Sequence, residues 1–303
     1  MDYISILKEL SGSGMKMDNP DNYKNRNYKI VADSCCEFPV PFRGDERFQN
    51  VPMILYVEDQ TIIDDETFDQ KEFLRMVAES GECAKSACPS PETYRETYRT
   101  EADHVYCLTI SSKLSGSYNS ANLAVGLYHE KYGDKKIHVF DSLSTSVGET
   151  QLFSLIVMME EKGYSFEDIV ETVEEFRDNM HTLFVLDNLE TLRKNGRLTG
   201  IKAFVASTLN IKPLMAGDKG SIVQKSQGIG LKKTFGKLAD AVHNEVQDKE
   251  CRALMISHCN APDKAEMVKE LILAKDSFRE VIILDTRGLN SLYANDGGVI
   301  VTV

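Results

Sequence analysis

A chain of 303 residues with 42% hydrophobic and 27% charged side chains has the balance of an ordinary globular protein, long enough for two buried cores. Its 47 Asp and Glu against 35 Lys and Arg leave a formal net charge of −12, which repels nucleic acid and anionic membranes away from a local basic patch. The nearest candidates, Arg193-Lys194 with Arg197 and Lys202, and Lys232-Lys233 with Lys237, are small. Seven cysteines without framework spacing point to a reduced, cytoplasmic setting rather than a secreted disulfide scaffold.

Residues 1–27 read as an extension and linker. Tyr3 to Leu10 has helical apolar spacing, Ser11-Gly-Ser-Gly14 breaks it, and the stretch to Asn27 is polar. Such a segment is either a flexible tail or a short amphipathic helix that docks on the body or on a partner. It lacks the charged-then-apolar layout of a secretion signal, and no apolar run nears the ~18 residues that span a bilayer. No stable membrane insertion is expected.

From Tyr28 strands alternate with helices. The expected strands are 29–32, 53–57, 105–110 and 136–140, and the expected helices 69–79, 91–100, 117–132 and 147–161. That alternation predicts a doubly wound parallel sheet over residues 28–163. Gly163 stops the last helix, and Ser165 with Asp168 starts the next, which places the boundary of a second α/β unit over 164–303. There the pattern predicts helix 166–179, strand 182–186, helical segments near 189–194 and 202–209, and a hairpin 211–225 about Gly217-Asp-Lys-Gly220. Helix 231–246, strand 253–257, helix 262–274 and strands 280–285 and 299–303 complete a mixed sheet covered by helices.

The most informative segment is Thr109-Ile-Ser-Ser-Lys-Leu-Ser-Gly-Ser-Tyr-Asn-Ser-Ala121, a serine-rich turn between a strand and a helix. Turns at the carboxyl ends of parallel strands are where such sheets bind ligands. Ser111, Ser112, Ser115 and Ser117, with free amides at a helix start, suit an anion, although a plain helix cap uses the same hydroxyls. Ile30-Val-Ala-Asp-Ser-Cys-Cys-Glu-Phe-Pro39, Ala84-Lys-Ser-Ala-Cys-Pro-Ser-Pro91 and Ile137-His-Val-Phe-Asp-Ser-Leu-Ser-Thr-Ser-Val-Gly148 are similar junctions that can converge with it.

Enzymatic signatures are missing. No Gly-x-Ser-x-Gly elbow, Walker loop or Rossmann fingerprint occurs, and none of the six histidines stands in a recognisable catalytic setting. Cys35-Cys36, Cys83 with Cys88, and His258-Cys259 lack the paired spacing of a metal site, so neither a metal nor a cofactor is expected. A binding protein needs only a tunnel with donors at one end. For an acyl chain, burial contributes about 0.8 kcal/mol per methylene, or roughly 12 kcal/mol over sixteen carbons as an upper bound. A serine-type hydrolase or a polyol-kinase-like subunit is the alternative.

The order of these junctions, followed by Leu192-Arg-Lys-Asn-Gly-Arg197 and Asn210-Ile-Lys-Pro213, resembles the DegV family of bacterial fatty-acid-binding proteins over about residues 28–303. The resemblance implies a carrier that binds a long-chain fatty acid such as palmitate between two domains and presents its carboxylate to a fatty acid kinase. Matched by position, the carboxylate falls to Ser86 and Ser115, with the amides around Gly116 and Ser117 assisting. Gly116 is expected there because a side chain would crowd the anion. Ser112 and Tyr293 rank second and His258 third. Tyr293 stands where many family members have a His, in the stretch Tyr293-Ala-Asn-Asp-Gly-Gly298. The Leu192–Arg197 segment is expected to face a partner, or to be a solvated basic turn.

Overall fold

The computed structural model describes residues 2–17, 23–25, 27–198 and 210–303; the helical segment expected at 202–209 lies outside them. Helix α1 (Tyr3–Gly12) precedes strands β1 (Tyr28–Asp33) and β2 (Phe48–Val51). With β6 (His104–Thr109) and β7 (Lys136–Asp141) these strands form a parallel sheet in the order β2-β1-β6-β7. Alternate residues feed two cores. Val31, Val105, Cys107 and Val139 pack under helices α3 (Pro91–Thr97) and α4 (Ser117–Tyr132). Ile30, Tyr106, Leu108 and Phe140 pack under α5 (Val147–Lys162) and α6 (Phe166–Asp178). Coverage on both faces explains why these strands read as continuous apolar runs.

The stretch expected as the second strand of this sheet, 53–57, is not in it. Phe48–Val51 takes that place, Pro52 interrupts the ladder, and β3 (Ile54–Val57) turns into a small antiparallel sheet. Its neighbours are β4 (Gln60–Ile63) and β5 (Lys85–Ala87), in the order β4-β3-β5. The loop at 84–91 is therefore strand at its start, with Ser86 paired to Leu55. Helix α2 (Gln70–Glu79) lies between β4 and β5 in the chain.

The second sheet holds β8 (Thr182–Val185), β9 (Ile211–Asp218), β10 (Ser221–Ile229), β11 (Ala253–His258), β12 (Glu280–Asp285) and β13 (Val299–Thr302). Its order is β10-β9-β8-β13-β11-β12, with only β11 and β12 parallel. Leu183, Val185, Leu254 and Val301 face α8 (Leu231–Glu245) and α9 (Pro262–Leu273). Phe184, Met215, Met255 and Ile300 face the other way, toward Val147 at the start of α5. Helix α5 is buried from Val147 to Glu160, and Gln151 Nε2 donates across the junction to Ala253 O (2.9 Å) and Thr302 O (3.1 Å).

Helix α6, expected to open the second unit, packs on the first sheet instead. The Phe166 ring stacks on Tyr106 at 5.1 Å, and Arg177 donates to Asp141 O. Its apolar face, Ile169, Val173 and Phe176, finds cover there beside α5. Among the described residues no helix is long and apolar enough to cross a membrane.

Two short helices complete the fold: α7 (Glu190–Lys194) and α10 (Gly288–Ala294), the latter absent from the sequence expectations. Buried Asp64 sets α10. Its carboxylate accepts from Gly288 N, Leu289 N and Ser34 Oγ, each at 2.8 Å, tying the small sheet, α10 and the turn after β1 together. A Cβ at position 288 would overlap that carboxylate, so glycine is required by contact. Asp64→Ala should cost roughly 2–4 kcal/mol in urea unfolding, because three donors lose a charged acceptor in a dry site. A change inside about 0.5 kcal/mol, the scale of ordinary surface substitutions, would contradict this role.

Candidate functional site

The chain leaves β1 toward β2 on one side and β6 toward β7 on the other, so the turns that follow these two paired strands lead apart. Asp33 fills the gap. It is fully buried, and its Oδ2 accepts from Ile110 N (3.0 Å) and Ser117 Oγ (2.6 Å), while Oδ1 accepts from Cys35 N (3.2 Å). Burial raises its pKa, and those three donors oppose the shift. The turn after β7 joins the same assembly, since Asp141 Oδ1 accepts from Ser112 N (2.9 Å) and Leu143 N (3.2 Å).

These turns face the second sheet across a cavity of about 790 Å3, counted out to its mouth. Ile110, Leu114, Leu143, Phe184, Leu186, Leu192, Ile222, Leu289 and Ile300 supply its apolar wall. The space is narrow, because the centre of a water molecule can range over only about 80 Å3 of it. The tip of the β9–β10 hairpin closes one side. Ser111 Oγ donates to Gly220 O at 2.8 Å, and a Cβ on Gly220 (φ +83°) would strike that hydroxyl.

Ser86, Ser115 and Tyr293 all line this cavity, although they come from β5, the β6–α4 turn and α10. Ser86 Oγ and Tyr293 OH are 3.3 Å apart. Arg197 lines the same cavity, its Nε donating to Leu114 O (3.1 Å) and its guanidinium 5.8 Å from the centre of the Tyr293 ring. The Leu192–Arg197 segment thus divides. Arg193 and Lys194 are exposed, while Leu192 and Arg197 turn inward, the chain reversing at Gly196 (φ +74°).

Other expected residues stand elsewhere. Ser117 is fully buried with its hydroxyl committed to Asp33 and to Tyr94 OH (2.5 Å), so it builds the turn and has none left for a ligand. Ser112 is outside the cavity wall and reaches Asp141 through its amide. Gly116 is the N-cap of α4 with an ordinary φ of −77°, and also lies outside the wall. A Cβ there would sit 3.3 Å from Cys88 Sγ, so the crowding partner is a thiol. His258 is buried at the end of β11, where Nδ1 accepts from Ala261 N (3.3 Å) and faces Asp285 (3.4 Å). No histidine is among the described residues lining the cavity, so Ser86 and Ser115 lack an imidazole base there.

Sequence missed the polar layer behind the wall. Asn290 lines the cavity, accepts from Thr145 Oγ1 (2.8 Å) and donates to Cys35 O (2.8 Å) and Glu37 Oε1 (2.5 Å). Glu37 is buried and also accepts from Ser146 Oγ at 2.7 Å. Burial dominates its titration and pushes it up to about 8 against that hydrogen bonding. The arrangement can therefore receive an apolar chain along its wall and an acidic group beside three hydroxyls and a guanidinium.

A model of the DegV family, described as uncharacterised proteins, matches residues 27–300. A DegV domain-containing protein of Streptococcus pneumoniae is 32% identical over 279 residues, 90% of this chain and 97% of its own. A DegV-family protein of Ruminococcus gnavus, solved with vaccenic acid, superposes with a TM-score of 0.90 at 46% identity, over 92% of this chain and all of its own. The Fatty Acid Kinase (Fak) B3 protein of Streptococcus pneumoniae, loaded with linoleic acid, gives 0.84 at 31% identity, over 91% of this chain and 98% of its own.

The buried Glu37 makes stability depend on pH. Its ordinary value is 4.5 and its folded value about 8, so between them the folded chain keeps a proton that the unfolded chain has released. Its contribution is full below about 4.5 and is lost as pH rises toward 8. Burial raises Asp33, Asp64 and Glu149 too, and they act in the same direction. The denaturation midpoint of Glu37→Gln should therefore fall less between pH 5 and pH 8 than that of the parent. Equal slopes for the two proteins would contradict this assignment.

Proposed function

Because the chain belongs to the DegV family, we propose that it binds a long-chain fatty acid in this cavity and presents the carboxylate to a fatty acid kinase. One observation carries the reading: a narrow apolar cavity ends at Ser86, Ser115, Tyr293 and Arg197, drawn from four separate segments. The acyl tail lies along Phe184, Leu186, Ile222 and Ile300, and its burial supplies most of the affinity. The hydroxyls and the guanidinium replace water around the carboxylate, which would otherwise pay heavily for desolvation. Ser86, Ser115 and Tyr293 are only half-buried, so a partner enzyme in the cytoplasm reaches the head group without unfolding the carrier. The chain itself contributes binding and orientation, and a kinase performs the chemistry. The neighbours of R. gnavus and S. pneumoniae, solved with vaccenic and linoleic acid, support an acyl ligand of about this length.

Losing one hydrogen bond to a charged group costs about 1.5–3 kcal/mol, or roughly ten- to a hundredfold in affinity. Ser115→Ala and Ser86→Ala should each weaken palmitate binding by that factor in fluorescence displacement, with the melting temperature of the ligand-free protein nearly unchanged. Parental affinity in both variants would move the head group elsewhere in the cavity.

A further inference from the structure

The family model starts at residue 27, which leaves α1 outside the shared part of the chain. Yet α1 is built into the fold. Asp2 caps it by accepting from Ser5 N at 2.9 Å, and Ile6, Leu7 and Leu10 are buried to 2% exposure or less. Leu7 sits among Ser154, Leu155 and Met158 of α5 on one side and Cys251, Arg252 and Ala253 on the other. It therefore straddles the line where α5 meets β11.

Polar links run to both sides of that line. Toward the second sheet, Arg252 donates to Tyr3 OH (3.0 Å), Lys8 pairs with Asp248 (3.2 Å), and Met17 N donates to Glu280 Oε2 (3.1 Å). Toward the first, Tyr164 OH donates to Glu9 Oε2 (2.8 Å), and Lys24 N and Asn25 N donate to Glu161 Oε2 (2.6 and 2.9 Å). Arg47 completes this anchor from β2's side, donating to Asn25 O (2.6 Å), Tyr23 O (3.2 Å) and Glu161 Oε1 (3.1 Å). The cavity lies at the other end of α5, at Leu143–Thr145, roughly 15–20 Å away at 1.5 Å per helical residue.

We propose that the N-terminal segment is an intramolecular strap that fastens the two α/β units at the far end of α5 and so slows their parting around the ligand cavity. A segment joined covalently to β1 and docked on the β11–β12 side holds both units at once. Parting them would expose Leu7 and break the Arg252, Asp248 and Glu280 links together. The fastening stands on these contacts alone, and its effect on acyl exchange rests on the fatty-acid reading.

Three full-length proteins decide it: the parent, Leu7→Asp with Leu10→Asp, and the milder Tyr3→Phe with Lys8→Ala, which stays folded if the first variant does not. In hydrogen exchange of the ligand-free proteins, amides of Gln151–Met158 and Ala253–Ser257 should lose protection, by roughly tenfold or more in the double Asp variant, while β6 keeps its own. Release of a fluorescent long-chain fatty acid should quicken in parallel, by about three- to tenfold. Unchanged exchange at both segments in both variants would overturn the strap. Faster exchange with unchanged release would overturn its control of the ligand. Absence of acyl binding even in the parent would sink the fatty-acid reading, leaving exchange to decide the fastening by itself.

Discussion

One carboxylate without access to water holds the binding side of this protein together. Asp33 lies where the turns after β1 and β6 lead apart and takes amides and a hydroxyl from both, so the serine turn cannot shift without stranding it. A buried acid is tolerable only when donors replace its hydration. Ser117, Ile110 and Cys35 supply those donors, and this fixes Ser115 two residues away. Glu149 lies beside Asp33 and Cys35, with no donor to either of its oxygens. Burial, then the charge of Asp33, hold it well above the usual carboxylate range.

The cavity follows from how the two sheets are set against each other. The first sheet is covered by helices on both faces, whereas the second has one face under α8 and α9 and turns Phe184, Met215 and Ile300 toward the first unit. Helix α5 fills part of that interface, and the space beyond its first turn is the cavity. Its wall is apolar because it is the inner face of a sheet. Its end is polar because strand-end turns and α10 gather there. That separation matches a ligand with a long tail and one acidic head, and it needs no nucleophile or base.

Much of this was legible in the sequence. Continuous apolar runs between helical patterns marked the parallel sheet, and Gly217-Asp-Lys-Gly220 between two strand patterns marked the hairpin, where Lys219 and Gly220 have positive φ. Ser86, Ser115 and Tyr293 were named from a resemblance and share one cavity, a convergence that periodicity could not have shown. What stayed hidden was tertiary. β5 is three residues long and α10 seven, too short to announce themselves, and α10 depends on Asp64 far away in the chain. Ser117 looked like a ligand donor because a hydroxyl at a helix start serves an anion or an internal acid equally well, and only the position of Asp33 decides. Arg197 looked solvated because nothing in Asn-Gly-Arg gives the direction of the turn.

The central claim, that the cavity holds a fatty acid, is tested most directly by native mass spectrometry of the protein as purified from cells. The account predicts one bound mass per chain in the range of a long-chain fatty acid, released on denaturation and identified as such. An adduct-free protein that also fails to take up added palmitate to a one-to-one limit would contradict it.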